Sequence, residues 1–180
     1  MRRTVLMAMT VVFLSGLFFF GPLGESGMVW AQDDIGKHPE CPYCGMDRNK
    51  FAHSRVLLTY DDGVEMGFCS LRCAAVDLAN NIDAAPASIQ VGDYNTKALI
   101  DAERAYWVIG GNKMGVMSKR AKWAFATKTD AEAFIVANGG ELADFETAIK
   151  AAYTDLYEDN RMIREKRKMM RMKMQKKNKS

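Results

Sequence analysis

Hydrophobic and polar positions change period several times along the chain. Ser54 to Tyr60 (SRVLLTY) reads as a strand, Asp61-Asp62-Gly63 is a tight-turn signal because Asp-Gly tolerates positive φ, and Val64 to Phe68 (VEMGF) returns as the partner strand. Arg72 to Asn80 (RCAAVDLAN) follows with helix formers and apolar Cys73, Val76 and Leu78, and Asn80-Asn81 closes it. The second half repeats this order. Arg104 to Ile109 (RAYWVI) is strand-like and leads into a glycine-rich loop (GGNKMGVMSKR); Lys122 to Ala126 (KWAFA) then precedes a helix from Asp130 to Ala137 that Asn138-Gly139-Gly140 ends.

The two halves overlay at an offset of 57 residues, Gly67-Phe68-Cys69-Ser70-Leu71-Arg72-Cys73-Ala74 on Ala124-Phe125-Ala126-Thr127-Lys128-Thr129-Asp130-Ala131. Phe, a hydroxyl residue and Ala recur in register, which points to a duplicated unit. Ser70 and Thr127 are placed to cap their helices, and Thr129 with Glu132 has the spacing of a capping box. From Glu141 onward Leu142, Phe145, Ile149, Tyr153 and Leu156 fall at helical spacing and predict a closing helix. Past Asn160 the apolar face is carried by methionines, Met162, Met169, Met170, Met172 and Met174, at an end expected to be exposed. The fold expected is α+β: two similar small β-β-α(β) units in tandem, residues 32–98 and 99–160, the second including the closing helix, then a basic, Met-rich tail at 161–180.

The N-terminus belongs to another class of segment. Arg2 and Arg3 precede an uncharged run from Thr4 to Gly24, and Val29-Trp30-Ala31 offers small residues where a signal peptidase reads. Residues 1–31 are therefore expected to be a signal peptide or, if retained, an N-terminal anchor; either puts the rest of the chain outside the cytoplasm. Residues 32–40 (QDDIGKHPE) lack apolar periodicity and read as a linker.

Charge divides the chain further. Residues 32–160 hold 13 Lys and Arg against 20 Asp and Glu, a net of −7, whereas 161–180 hold 10 against the single Glu165, a net of +9. A short basic terminus of this kind suits contact with an anionic membrane surface or an acidic partner, with its methionines as weak Cu(I) sites; the bland alternative is an amphipathic helix. Export argues against nucleic acid as a partner.

Candidate chemistry gathers at the cysteines. Cys41-Pro42-Tyr43-Cys44-Gly45 has the shape of a metal knuckle, with two thiols reaching one point over a turn that Gly45 permits. Cys69 and Cys73 are four apart and share a face if a helix begins near Cys69. Knuckle, hairpin and helix-borne cysteines in this order suggest a treble-clef-like metal site. Three outcomes compete: disulfides, the default outside the cytoplasm; a closed four-cysteine zinc site; and a soft thiolate and thioether site selecting Cu(I). Methionine placement bears on the choice. Met46 lies two residues after Cys44, and Met114 and Met117 sit on the glycine-rich loop, whereas Met66 alternates with Val64 and Phe68 and reads as packing. His38 and His53 flank the knuckle and read as ordinary surface histidines with the capacity to ligate or gate a metal. A thiol oxidoreductase is the weakest reading, because no helix start follows Cys44 to activate a thiol.

Cys44-Gly45-Met46, Phe68-Cys69-Ser70-x-Arg72, Val91-x-Asp93-Tyr94, Ile100-Asp101-Ala102-Glu103-x-Ala105-Tyr106, Met114-Gly115, Ala124-Phe125 and Asp130-Ala131-Glu132-Ala133-Phe134 followed by Gly139-Gly140 together resemble the NosL family, the nitrous oxide reductase accessory proteins. The resemblance runs from about Cys41 to about Phe145. It implies a non-enzymatic, periplasmic Cu(I) metallochaperone that delivers copper toward nitrous oxide reductase. Its partners would be a recipient copper enzyme or copper-export and ABC-type maturation machinery. Carried over by residue, the ligands would be Cys44 and Met46 from the first unit and Met114 from the second, with a histidine in reserve and the ion between the units. Cys41 and Cys73 depart from the family pattern: Cys41 either joins Cys69 and Cys73 in a second thiolate site or pairs in a disulfide, and the alternative function is an exported binding or scaffold module with a structural zinc held by all four cysteines. Members are commonly lipoproteins, a feature this sequence lacks because no cysteine precedes Cys41.

Overall fold

The computed structural model describes residues 33–178. The expected leader at 1–31 lies outside the described residues, and among those described no helix is long and apolar enough to cross a membrane.

The fold is mixed α and β, with two antiparallel sheets and a long C-terminal helix. The stretch read as a linker contains a short helix, α1 (Asp33–Lys37). What orders it is a buried ion cluster that hydrophobic periodicity could not reveal. Asp34 accepts from Arg48 Nη2 at 2.7 Å and from Arg55 Nε at 2.9 Å, and both guanidinium groups are fully buried. Arg48 also donates to the carbonyls of Asp34, His38, Phe68 and Val56, so one side chain ties α1 and the knuckle to both strands of the first hairpin.

That hairpin is β1 (Val56–Tyr60) and β2 (Glu65–Phe68), turning at Gly63 with φ of 82°. Helix α2 (Leu71–Asn80) follows, and β3 (Pro86–Gly92) returns antiparallel along the other side of β1. Strand β1 is paired along both edges, and Val56, Leu57 and Leu58 are all buried, so side chains on both of its faces are covered and the strand lacks alternation. Strand β4 (Leu99–Asp101) extends the sheet, whose order is β2-β1-β3-β4, so this sheet runs on past residue 98.

The second unit repeats the plan. Strands β5 (Tyr106–Ile109) and β6 (Lys122–Phe125), helix α3 (Lys128–Asn138) and β7 (Glu141–Ala143) give a sheet of order β6-β5-β7. Phe68 and Phe125 occupy matching ends of β2 and β6 and are both fully buried, as are Ala74 and Ala131 on the helices. Residues 141–143 differ from the closing helix expected from Glu141: they form β7, paired to β5, and Leu142 is exposed rather than on an internal helical face. Helix α4 begins only at Phe145 and runs to Lys177, capped by Asp144, whose side chain accepts from Thr147 N.

The caps also differ. Thr127 caps α3 by accepting from Asp130 N, whereas Thr129 lies inside the helix and Glu132 pairs with Lys128, so the Thr129–Glu132 box does not form. Ser70 occupies the cap position of α2 but makes no side-chain cap bond.

The two units share one core. Asp93, 2% exposed at the end of β3, accepts from Thr96 N within its own turn and from Ala126 N of the second unit, while Tyr94 N donates to Ala124 O at 2.8 Å. Helix α4 straps both units: Arg72 of α2 bonds Asn160, Lys122 of β6 reaches Asp155 at 2.7 Å, and the amide of Lys119 reaches Asp159 Oδ1 at 2.7 Å.

Candidate metal centre

The knuckle is a closed turn. Cys41 N donates to Met46 O at 2.9 Å and Gly45 N to Cys41 O at 2.8 Å, with Gly45 at φ of 70°, where an L side chain is disfavoured. Tyr43, between the two cysteines, stacks on Phe68 and donates to Asp77 Oδ1 at 2.7 Å, and Tyr60 donates to the other oxygen of the same carboxylate. Asp77 is buried on α2, so the knuckle is tethered to the helix that carries Cys73.

All four thiols converge. The Sγ atoms of Cys41, Cys44, Cys69 and Cys73 lie within 4.8 Å of one another, with Cys44 to Cys69 at 3.4 Å, Cys69 to Cys73 at 3.8 Å and Cys73 to Cys44 at 3.9 Å. Cys69 sits two residues before α2, yet the extended Ser70 turns it onto the face of Cys73. The cysteines are free, and these separations exceed a disulfide bond, about 2.05 Å. They approach the edge of a sulfur tetrahedron around one ion, roughly 3.8 Å for a metal–sulfur bond of about 2.3 Å.

The cluster's electrostatics are shared. Hydrogen bonds with Cys44, Cys69 and Cys73 draw the Cys41 thiol below the ordinary range, and those with Cys41 and Cys44 push Cys69 and Cys73 above it, so the protons leave as from one set. Arg72 Nη1 lies 3.6 Å from Cys73 Sγ, and the buried Arg48 guanidinium is close enough to Cys41 for their charges to interact. Both favour negative charge on sulfur.

A cavity of about 670 Å³ opens beside Cys44, walled by Cys44, Met46, Phe51 and His53 of the first unit, by the β5–β6 loop with Met114 and Met117, and by Met162 and Met170 of α4. Met46 is half-buried, whereas Met114 is 78% exposed at the mouth. Met66 packs against the core. Cys44 alone belongs to both the thiol cluster and the cavity wall.

Neither histidine is the surface residue expected. His53 is half-buried among aromatic rings, 5.4 Å from Trp123 and 5.6 Å from Tyr94, and burial together with the charge of Lys97 lowers its pKa, so the imidazole that faces the cavity is neutral at pH 7. His38 packs its Cβ near Gly67 and has its Nε2 buried without a hydrogen-bond partner. Sequence reasoning missed Asp34, Arg48, Arg55 and Asp77, all of which support the knuckle; isolated charges carry no periodic signal of burial.

A family model described as NosL matches residues 32–153. The crystal structure of the copper chaperone NosL from Shewanella denitrificans is similar at 27% identity, the match covering 59% of this chain and 87% of that one with a TM-score of 0.48. No curated protein matches. Residues 32–153 take in the knuckle, both sheets, the β5–β6 loop and the first turns of α4, and over that span the chain belongs to the NosL family.

Proposed function

We propose that this chain is an exported, periplasmic Cu(I)-binding accessory protein, a metallochaperone rather than an enzyme, that carries copper to a copper enzyme in nitrous oxide reductase maturation. Its donor and recipient would be copper-export or ABC-type maturation machinery and the enzyme itself. The observation that carries the reading is the position of Cys44, at once a member of the thiol cluster and a wall of the cavity holding Met46, Met114 and His53. The Cys44–Met46–Met114 set of the family resemblance thus has its thiolate and both thioethers on one cavity.

Charge explains why such a set suits a carrier. One thiolate and two thioethers around Cu(I) make a neutral site, the least costly to bury and the easiest to dissolve, because thioethers are weak donors without a proton to recapture. Cys44 releases its proton to solvent when it ligates and recovers one when the ion leaves. Cys41, Cys69 and Cys73 stand behind it as further sulfur donors, each of which gives up a proton if it ligates. His53, neutral and half-buried, is positioned as a reserve ligand.

The test is anaerobic Cu(I) titration of the wild type and of a Met46→Leu, Met114→Leu variant. The variant is expected to bind copper more weakly, and unchanged affinity would sink the ligand assignment.

A second reading, a structural zinc held by all four cysteines in a scaffold protein, is favoured by the sulfur spacings, which suit one tetrahedral ion, and by Arg72 beside Cys73, which offsets the negative charge of such a site. It predicts one zinc per chain in protein purified without added copper, and unfolding of Cys73→Ser.

A further inference from the structure

The C-terminal half of α4 differs from the free basic tail expected, because its first turns form a wall of the cavity. Met162 and Ile163 are half-buried there, and Met170, two turns on and more exposed, lines the same space. Opposite them the β5–β6 loop presents Met114 and Met117. The loop is shaped for this. Gly110 N donates to Ala121 O at 2.8 Å, and a Cβ on Gly115 would lie 2.7 Å from Ser118 O, so the turn closes tightly, with Met114 exposed and Met117 partly buried between the core and the cavity. Met117 has φ of 58°, the left-handed region an unbranched apolar side chain seldom occupies. Backbone strain of this sort concentrates where a side chain is needed in one place.

Among the described residues no carboxylate lines this cavity, and its charged residues are Lys113, Lys119, Lys166 and Arg167. Without a carboxylate, the Asn112 and Ser118 oxygens alone make a poor set for a hard divalent cation, whereas the thioethers suit a soft one, and a monovalent ion is repelled less by the four basic groups than a divalent one. We propose that Met162 and Met170 of α4, together with Met117 of the loop, form a thioether site for a second Cu(I) ion, an outer position beside the one reached through Cys44. The inference rests on the copper reading and extends it: one ion sits against the thiols and another waits, or departs, under α4. At about 670 Å³ the cavity is wider than a single ion's coordination sphere, which leaves room for an ion apart from the thiols. Asp155 and Asp159 hold the C-terminal end of the loop to α4 through Arg120 and Lys119, so the two walls of the cavity are joined at one edge.

The experiment is anaerobic titration of the full, reduced chain with Ag(I) and with Cu(I) against a competing chelator, with the methionine methyl groups isotope-labelled for NMR. The second equivalent is expected to shift the methyls of Met117, Met162 and Met170. A Met162→Leu, Met170→Leu variant, near in volume and helix propensity, is expected to weaken that second equivalent about tenfold or more and leave the first nearly unchanged. A second equivalent that binds the variant as well as the wild type, or leaves those methyls unmoved, would overturn the outer site, as would binding of a single equivalent, with the copper reading intact. Failure of any equivalent to bind would remove both.

Discussion

The guanidinium of Arg48 lies directly against the α-carbon of Gly67: a Cβ added there would meet Arg48 Cζ at 2.6 Å and His38 Cβ at the same distance. Arg48 cannot step aside, because its nitrogens are committed to Asp34 and to four backbone carbonyls. Gly67→Ala is therefore expected to cost about 3 kcal/mol or more by chemical unfolding. A variant as stable as the wild type would mean that the arginine is not held as described.

One buried carboxylate, that of Asp34, bonds both Arg48 and Arg55. Asp34→Asn removes the negative charge that the two buried guanidinium groups share, and a loss of about 3–5 kcal/mol is expected in urea or guanidinium. Removal of residues 33–37 should do comparable damage, since it takes away the same carboxylate. A linker with no structural part would be dispensable in both experiments.

Asp77 gathers Tyr43 of the knuckle and Tyr60 of β1 on one buried carboxylate. Asp77→Ala is expected to lose about 2 kcal/mol and to speed modification of Cys44 by a thiol reagent in the metal-free protein. The second readout separates a loosened knuckle from general destabilisation when it is compared with a core variant of equal stability, such as Val91→Ala.

The strap between α4 and the loop has a pH signature. Burial would raise the Asp155 pKa, but hydrogen bonds from Arg120 and Lys122 outweigh it and hold the carboxyl below its ordinary value. A group depressed in the folded state contributes stability above its unfolded pKa, about 3.9, and loses it as pH falls through the folded value. The gap in unfolding free energy between wild type and Asp155→Asn is expected to be about 2 kcal/mol from pH 7 down to about pH 5 and to shrink below about pH 4. A gap that stays constant down to about pH 3 would contradict this.

Locally encoded parts of the fold were legible and cooperative parts were not. The β1–β2 hairpin, α2, β6 and α3 each announce themselves through a turn dipeptide, helix formers or a glycine stop within a few residues. Strands β4 and β7 have three residues each and exist because β3 and β5 offer edges to pair with; the exposed Leu142 even falls at helical spacing with Phe145 and Ile149. Cysteine spacing marked both halves of the thiol cluster, whereas their merger depends on the fold bringing 41–44 against 69–73. Asp34, Arg48 and Arg55 were invisible because charged residues are ordinarily at the surface, and their burial is a property of the partners. The methionines of α4 looked like a free face for the same reason: the surface they meet belongs to a loop much earlier in the chain.

The duplicated units differ most in one connection. Between β1 and β2 the chain turns over residues 61–64, and between β5 and β6 it takes the longer route of 110–121. A repeat of this kind would ordinarily present equivalent corners in each half. Here the first copy closes its corner with an Asp-Asp-Gly turn that holds no sulfur, while the second keeps its corner open and lined with methionine. Broken symmetry at a single loop thus makes the described residues one-sided: only the second unit's corner between paired strands carries methionine, and under the proposed carrier role that corner is where an ion would enter and leave.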